Sequence, residues 1–172
     1  MTSPFVLLIV IKLVMVVRDF MEIKYLSDCP EFTPTVVDWI YNEFIKDIRH
    51  GVTYQKLLDN YQVCYKDKLP VRFVALVDNT PVGTISLVKN DLKHRDYIPW
   101  LAALYVLPEC RGNKIAEFLI ERVKATSKKL GYEELFLRTE FASDYYRTRG
   151  WEFVESCVDE FNLTTDVFKV DF

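Results

Sequence analysis

Four consecutive residues, Arg111, Gly112, Asn113 and Lys114, stand where an apolar stretch meets an amphipathic one in LYVLPECRGNKIAEFLIERV, residues 104–123. A helix beginning here leaves its first N–H groups without partners and carries about half a positive charge at its start. Phosphate suits such a place. Gly112 lets backbone approach a bulky ligand closely, and Arg111 and Lys114 can add charge-assisted bonds. On its own the turn reads first as a solvated basic helix start, since a short motif match is only a hypothesis. Cys110 adjoins the cations and could have a lowered thiol pKa. No histidine neighbours it in sequence, so direct transfer without an acyl-enzyme is the simpler chemistry.

The elements that must position this turn follow from periodicity. Met21, Ile23, Tyr25 and Leu26 roughly alternate with charge and predict a strand. Thr33-Pro34 reads as an N-cap with proline at the first helical position. Val36, Val37, Ile40, Phe44 and Ile48 extend that helix to near Gly51. A second helix is expected from Thr53 to about Cys64. Val71 to Val77 and Thr84 to Val88, joined through Asp78-Asn79-Thr80-Pro81 and Gly83, form a hairpin. Lys89 to Tyr97 reads as loop, and WLAALYV as a central strand apolar on both faces. Beyond the basic turn, Ala116, Leu119, Ile120, Val123, Ser127 and Leu130 mark a long helix closed by Gly131. ELFLRTE is a strand and SDYYRTRG a short helix. WEFVESCVDEF and DVFKVDF are a last hairpin turning at residues 162–166. The order βααβββαβαββ is a mixed α/β sheet.

The chain has 172 residues, half of them apolar, which suits one domain. A net charge of −3 argues against a nucleic-acid surface. Cys29, Cys64, Cys110 and Cys157 lie far apart and only His50 and His94 accompany them, so no metal site is indicated. Such spacing fits reduced thiols in a cytoplasmic protein. Residues 4–17, PFVLLIVIKLVMVV, are too short to span a bilayer, which needs about 20, and lack the flanks of a signal peptide. Two regions result: an N-terminal apolar extension of unclear status over 1–20, and one folded domain over 21–172. No stable membrane insertion is expected.

VLPECRGNKIA resembles motif A of the GCN5-related N-acetyltransferases (GNAT), whose pattern is Q/R-x-x-G-x-G/A. YYRTRGWEFVE is similar to the same family's aromatic-Tyr-x-x-x-Gly-aromatic ending, and the likeness runs over residues 21–172. PWLAALYVLPE and FLRTEFASDYYRTRGW resemble a bacterial, uncharacterised branch, with a few residues similar to the eukaryotic actin N-terminal acetyltransferase. The resemblance implies a mostly antiparallel central sheet flanked by helices, and acetyl transfer from acetyl-CoA to an amine. By position, Arg111, Gly112, Asn113, Lys114, Ile115 and Ala116 would wrap the pyrophosphate. Leu104, Tyr105 and Val106 would pair their backbone with the pantetheine arm. Tyr146 would protonate the departing thiolate. Partners would be acetyl-CoA and a small-molecule amine or a peptide N-terminus, and a homodimer is allowed.

One position departs from the motif. Lys114 stands at its usual glycine; a helical φ, favoured because Gly112 and Ala116 keep the other small positions, would let lysine sit without strain, whereas a positive φ would impair cofactor binding. The departure also motivates an alternative, a catalytically silent acyl-CoA-binding or sensing module. An amine must be neutral to attack a thioester, which near neutral pH costs ~4 kcal/mol for a lysine side chain but only ~1 kcal/mol for an α-amino group. Glu140, Asp91 and His94 are candidates for a base, with none assigned. Glu140 could equally cap the helix starting near Ala142. Trp39 and Trp100 fit an acceptor pocket or the core equally well.

Overall fold

A computed structural model describes residues 21–172, so the apolar extension of 1–20 lies outside the described residues. Seven strands form one sheet: β1 (Met21–Tyr25), β2 (Val71–Val77), β3 (Thr80–Val88), β4 (Trp100–Val106), β5 (Glu134–Thr139), β6 (Glu152–Val158) and β7 (Thr164–Asp171). Their order is β1-β2-β3-β4-β5-β7-β6. Every neighbouring pair is antiparallel except β4 and β5, which run parallel.

Four α-helices flank the sheet: α1 (Thr33–Ile40), α2 (Tyr54–Gln62), α3 (Ile115–Lys129) and α4 (Ser143–Arg147). The strand β2 explains why helices cover both faces. Val71, Phe73 and Ala75 pack with Leu119 and Val123 of α3, while Val74 and Leu76 pack with Val36, Val37 and Ile40 of α1 and Tyr61 of α2. A strand buried on both sides reads as an unbroken apolar run, as this one does.

Local chemistry sets the boundaries. Asp78 and Asn79 take φ of 47° and 60°, the two left-handed positions of a tight hairpin turn, so β3 starts at Thr80 rather than at Thr84. Thr53 caps α2 by accepting from the Lys56 N–H. Gly131 (φ 90°) closes α3: its N–H reaches Lys128 O and the Tyr132 N–H reaches Ser127 O. The first helix is shorter than its spacing predicts. After Ile40 it widens into a π turn over Tyr41–Ile45, closed by the Lys46 N–H on Tyr41 O at 2.8 Å. The extra residue shifts the helical phase, leaving Ile48 exposed. Thr33 is already helical, and Phe32 takes the N-cap position expected of it.

Gly83 of β3 sits opposite Val106 of β4. A Cβ there would lie 2.9 Å from the Tyr105 carbonyl oxygen and 3.4 Å from Leu119. Gly83→Ala is therefore expected to destabilise the fold by about 1–3 kcal/mol, the usual cost of overpacking. Urea unfolding of the two proteins checks this.

Candidate active site

The sheet opens at its centre. β4 and β5 pair only at Trp100–Phe136 and Leu101–Leu137, after which they separate. At that point β4 carries a bulge, because Ser86 pairs with Ala102 but Thr84 pairs with Tyr105, leaving Ala103 and Leu104 opposite Ile85. Ala103 takes φ of 54° to make the bend. Beyond the bend, Tyr105 and Val106 pair again with β3, and no residue of β4 after Leu101 has a ladder to β5.

A cleft of about 530 Å³ occupies this opening. Leu104, Tyr105 and Val106 form one wall, and Arg111, Gly112, Lys114, Ile115 and Ala116 form the end. Asn113 is outside the lining, its side-chain amide donating to Cys110 O at 3.1 Å. Arg111 folds along the strand, donating from Nε to Val106 O at 3.0 Å with its guanidinium 5.9 Å from the Tyr105 ring. The first i→i−4 bond of α3 runs from Phe118 N–H to Lys114 O. The preceding N–H groups of Ile115, Ala116 and Glu117 lack intrahelical acceptors by geometry and sit at the positive end of the helix dipole.

Lys114 is the N-cap of α3 and has φ 61°, ψ 13°. The helical φ expected from sequence is thus wrong. Lysine adopts this left-handed conformation at a cost of roughly 1–2 kcal/mol. The backbone keeps the form a glycine would give.

A second cavity, about 360 Å³, lies on the α1–α2 side of the bulge and shares Leu104 and Phe44 with the first. Tyr146 of α4 borders it and is nearly buried, packed at 5.2 Å from Tyr145, 5.9 Å from Trp151 and 6.2 Å from Phe168. Burial pushes its phenol up to about 12, with Tyr145 adding to the effect. Arg49, Arg72, Asp91, Arg138 and Glu140 also reach this cavity. Arg138 bonds Asp91 at 3.1 Å and Asp159 at 2.9 Å, tying the end of β5 to two loops. Burial raises the Asp91 carboxyl, against the pull of Arg138.

The other candidates separate clearly. Glu140 does not cap α4; the Thr139 hydroxyl accepts the Ala142 N–H instead, at 3.0 Å. His94 is exposed and lies outside both cavities. Trp100 is fully buried with its indole N–H on Tyr97 O, a core residue, and Trp39 is half-buried, its ring tilted against Tyr105 at the edge of the core and outside both cavity linings. The Cys110 thiol is pushed up by burial and by Glu109 rather than lowered. Sequence reasoning missed Arg49, Asn60, Arg72 and Ser86, which come from separate elements and carry no shared motif.

Lys114→Gly should leave stability unchanged or raise it by up to about 1 kcal/mol, since relief of the left-handed strain is offset by a more flexible unfolded chain. Lys114→Ile should lower it, because a β-branched residue fits that region worst. Denaturant midpoints of the three proteins report the order.

The model of the acetyltransferase (GNAT) family matches residues 34–151. No curated protein matches the chain in sequence. Among solved structures, an acetyltransferase from Streptococcus agalactiae 2603 is 19% identical with a TM-score of 0.66, covering 89% of this chain and 99% of its own. An aminoglycoside 6'-N-acetyltransferase complexed with coenzyme A is 12% identical with a TM-score of 0.68, over 87% and 96%. Protein yncA from Salmonella typhimurium, solved with its cofactor acetyl-CoA, is 14% identical with a TM-score of 0.63, over 88% and 94%. These likenesses share the seven-stranded open sheet. The family match spans more than half of the chain and holds both the basic turn and the second motif: the chain belongs to the GNAT acetyltransferases.

Proposed function

We propose that the protein is an N-acetyltransferase that moves the acetyl group of acetyl-CoA to a primary amine by direct attack. The observation that carries this reading is the adjacency of the two cavities, which share Leu104 and Phe44 in their linings beside the bulge in β4, with Tyr145 of α4 lining the first and Tyr146 the second. One cavity ends at a helix start suited to phosphates, and the other opens where an acceptor would enter.

Acetyl-CoA is the cosubstrate. Its diphosphate fits the N–H groups at the start of α3, with Arg111 and Lys114 as cations. Its amide-bearing arm fits the unpaired edge of β4 from Leu104 to Val106, in the manner of an added strand. The amine loses a proton to solvent to become neutral, and its nitrogen attacks the thioester carbon. As the C–N bond forms, the C–S bond breaks, and the net proton passes from nitrogen to sulfur. Tyr146 is the donor at sulfur and is restored by the proton that nitrogen sheds. A backbone N–H of β4 near Tyr105 or Val106 serves the developing oxyanion. That Lys114 keeps a left-handed backbone at the glycine position supports cofactor binding there and weighs against the silent-module alternative.

Tyr146→Phe should lower kcat by about 100-fold or more while leaving acetyl-CoA affinity within about twofold. Thiol release and calorimetry measure the two. Saturable cofactor binding with no thiol release across a broad amine panel would instead favour the silent module.

Because burial holds the Tyr146 phenol up near 12, it stays protonated through the neutral range. Activity should rise with pH as the amine deprotonates, and a descending limb below about pH 10 that vanishes in Tyr146→Phe would contradict the assignment.

A further inference from the structure

The second cavity is lined by buried groups of both charges. Arg72, from the start of β2, is 3% exposed and cannot shed its charge. Its Nη1 donates to Ser86 Oγ at 3.2 Å, and its Nη2 donates to Asn60 Oδ1 at 2.7 Å and Asn60 O at 3.3 Å. The Tyr61 ring lies 3.9 Å from its Cζ. All these partners are neutral. Among the described residues no carboxylate forms an ion pair with Arg72, and its Nε–H is buried without a hydrogen-bond partner. A buried guanidinium without an anion is costly to keep.

The remaining charged groups of the lining are balanced in number. Arg138 is already shared between Asp91 and Asp159, and Glu140 adds a further carboxylate. Two of these carboxylates, Asp91 and Glu140, line the cavity beside Arg138 and Arg49, while Asp159 holds Arg138 from outside the lining. Glu140 Oε1 and Arg49 Nε are also buried without hydrogen-bond partners. Three of the six such atoms among the described residues therefore belong to side chains that line this one cavity, a concentration of unmet polar demand that points to a polar ligand.

Resting on the acetyl-CoA reading of the first cavity, we propose that the acceptor is a small amine that also carries a carboxylate, of amino-acid size, its carboxylate held by Arg72 and its ammonium drawn to Glu140. A zwitterion matches both groups. A polyamine or aminoglycoside would bring a second cation against Arg72, and like charges at close range are strongly disfavoured. The volume of about 360 Å³ is near the lower end of ligand pockets, which excludes a peptide from lying wholly within it.

The test uses the full chain with saturating acetyl-CoA and a panel of free α- and ω-amino acids, their amides, spermidine, an aminoglycoside and short peptides. Free carboxylates are expected to exceed their amides by about 100-fold in kcat/KM, since a charged site rejects an analogue that leaves it unpaired. Asn60→Asp supplies Arg72 with an internal carboxylate at the position of an existing hydrogen bond, so folding is kept or improved. It should cut kcat/KM for the acids by about 100-fold and for the amides by less than about threefold, with acetyl-CoA affinity unchanged. A purely structural Arg72 would leave the acid-to-amide ratio where it was. Glu140→Gln should raise KM for the same acids. Equal rates for acids and amides, a preference for spermidine, aminoglycoside or peptides, or cofactor binding with no amino acid bound or acetylated would overturn the proposal. Failure of acetyl-CoA to bind would strike the underlying reading instead. Calorimetry of amino acids with the unliganded protein and with the Asn60→Asp variant then still decides the cavity: binding that the substitution abolishes supports the proposal, and no binding to either protein overturns it.

Discussion

Everything in the site depends on two parallel strands parting after two residue pairs. Parallel pairing between β4 and β5 would run further if both strands were straight, but the bulge at Ala103 and Leu104 turns β4 away. The bend leaves polar backbone unpaired in the middle of a sheet, where it would ordinarily be costly. It also gives the first cavity a polar wall, and it lets Leu104 stand at the meeting point of both cavities. Gly83 permits the close approach of Tyr105 that the bend requires.

The two cavities use different physics. The first relies on main-chain groups, a helix start and loosely tied cations, which suit a ligand whose charge and length are fixed. The second relies on side chains with buried charge: Arg72 against neutral partners, and Glu140 near the Arg138 network. Specificity for an acceptor comes from such unmet electrostatic demands, because a ligand lacking the right group leaves the protein's own charge exposed to an apolar surround.

How much of this was legible in the sequence follows the same division. Local signals were readable: Asp78-Asn79 as a hairpin turn, Gly131 as a helix stop, the apolar run of β4 as a central strand, and the element order. Most of the first cavity's lining comes from one stretch, residues 104–117, where a single motif could draw attention to it, whereas Glu43, Phe44, Tyr145 and Arg149 join it from other elements without a sequence signal. The acceptor half assembles Arg49, Asn60, Arg72, Ser86 and Glu140 from separate elements, and nothing in their spacing ties them together. Lys114 was misjudged because residue type alone favours a helical φ, while the turn that leads from residues 108–110 into α3 is left-handed at that position. The π turn after Ile40 was invisible for a related reason: apolar spacing continued past the point where the backbone changed its hydrogen bonding.

The two-rung join at Trp100 and Leu101 has a mechanical side. β1 to β4 form one plate and β5 to β7 another, fastened near one end by those rungs and by the fully buried Trp100 wedged among Leu92, Phe136 and Val167. Two plates pinned at one end behave like a clothes peg, in which a small rotation at the pin becomes a larger displacement at the jaws. Drift in side-chain volume around Trp100, far from any reacting atom, would thus retune the gape that admits thioester and acceptor together.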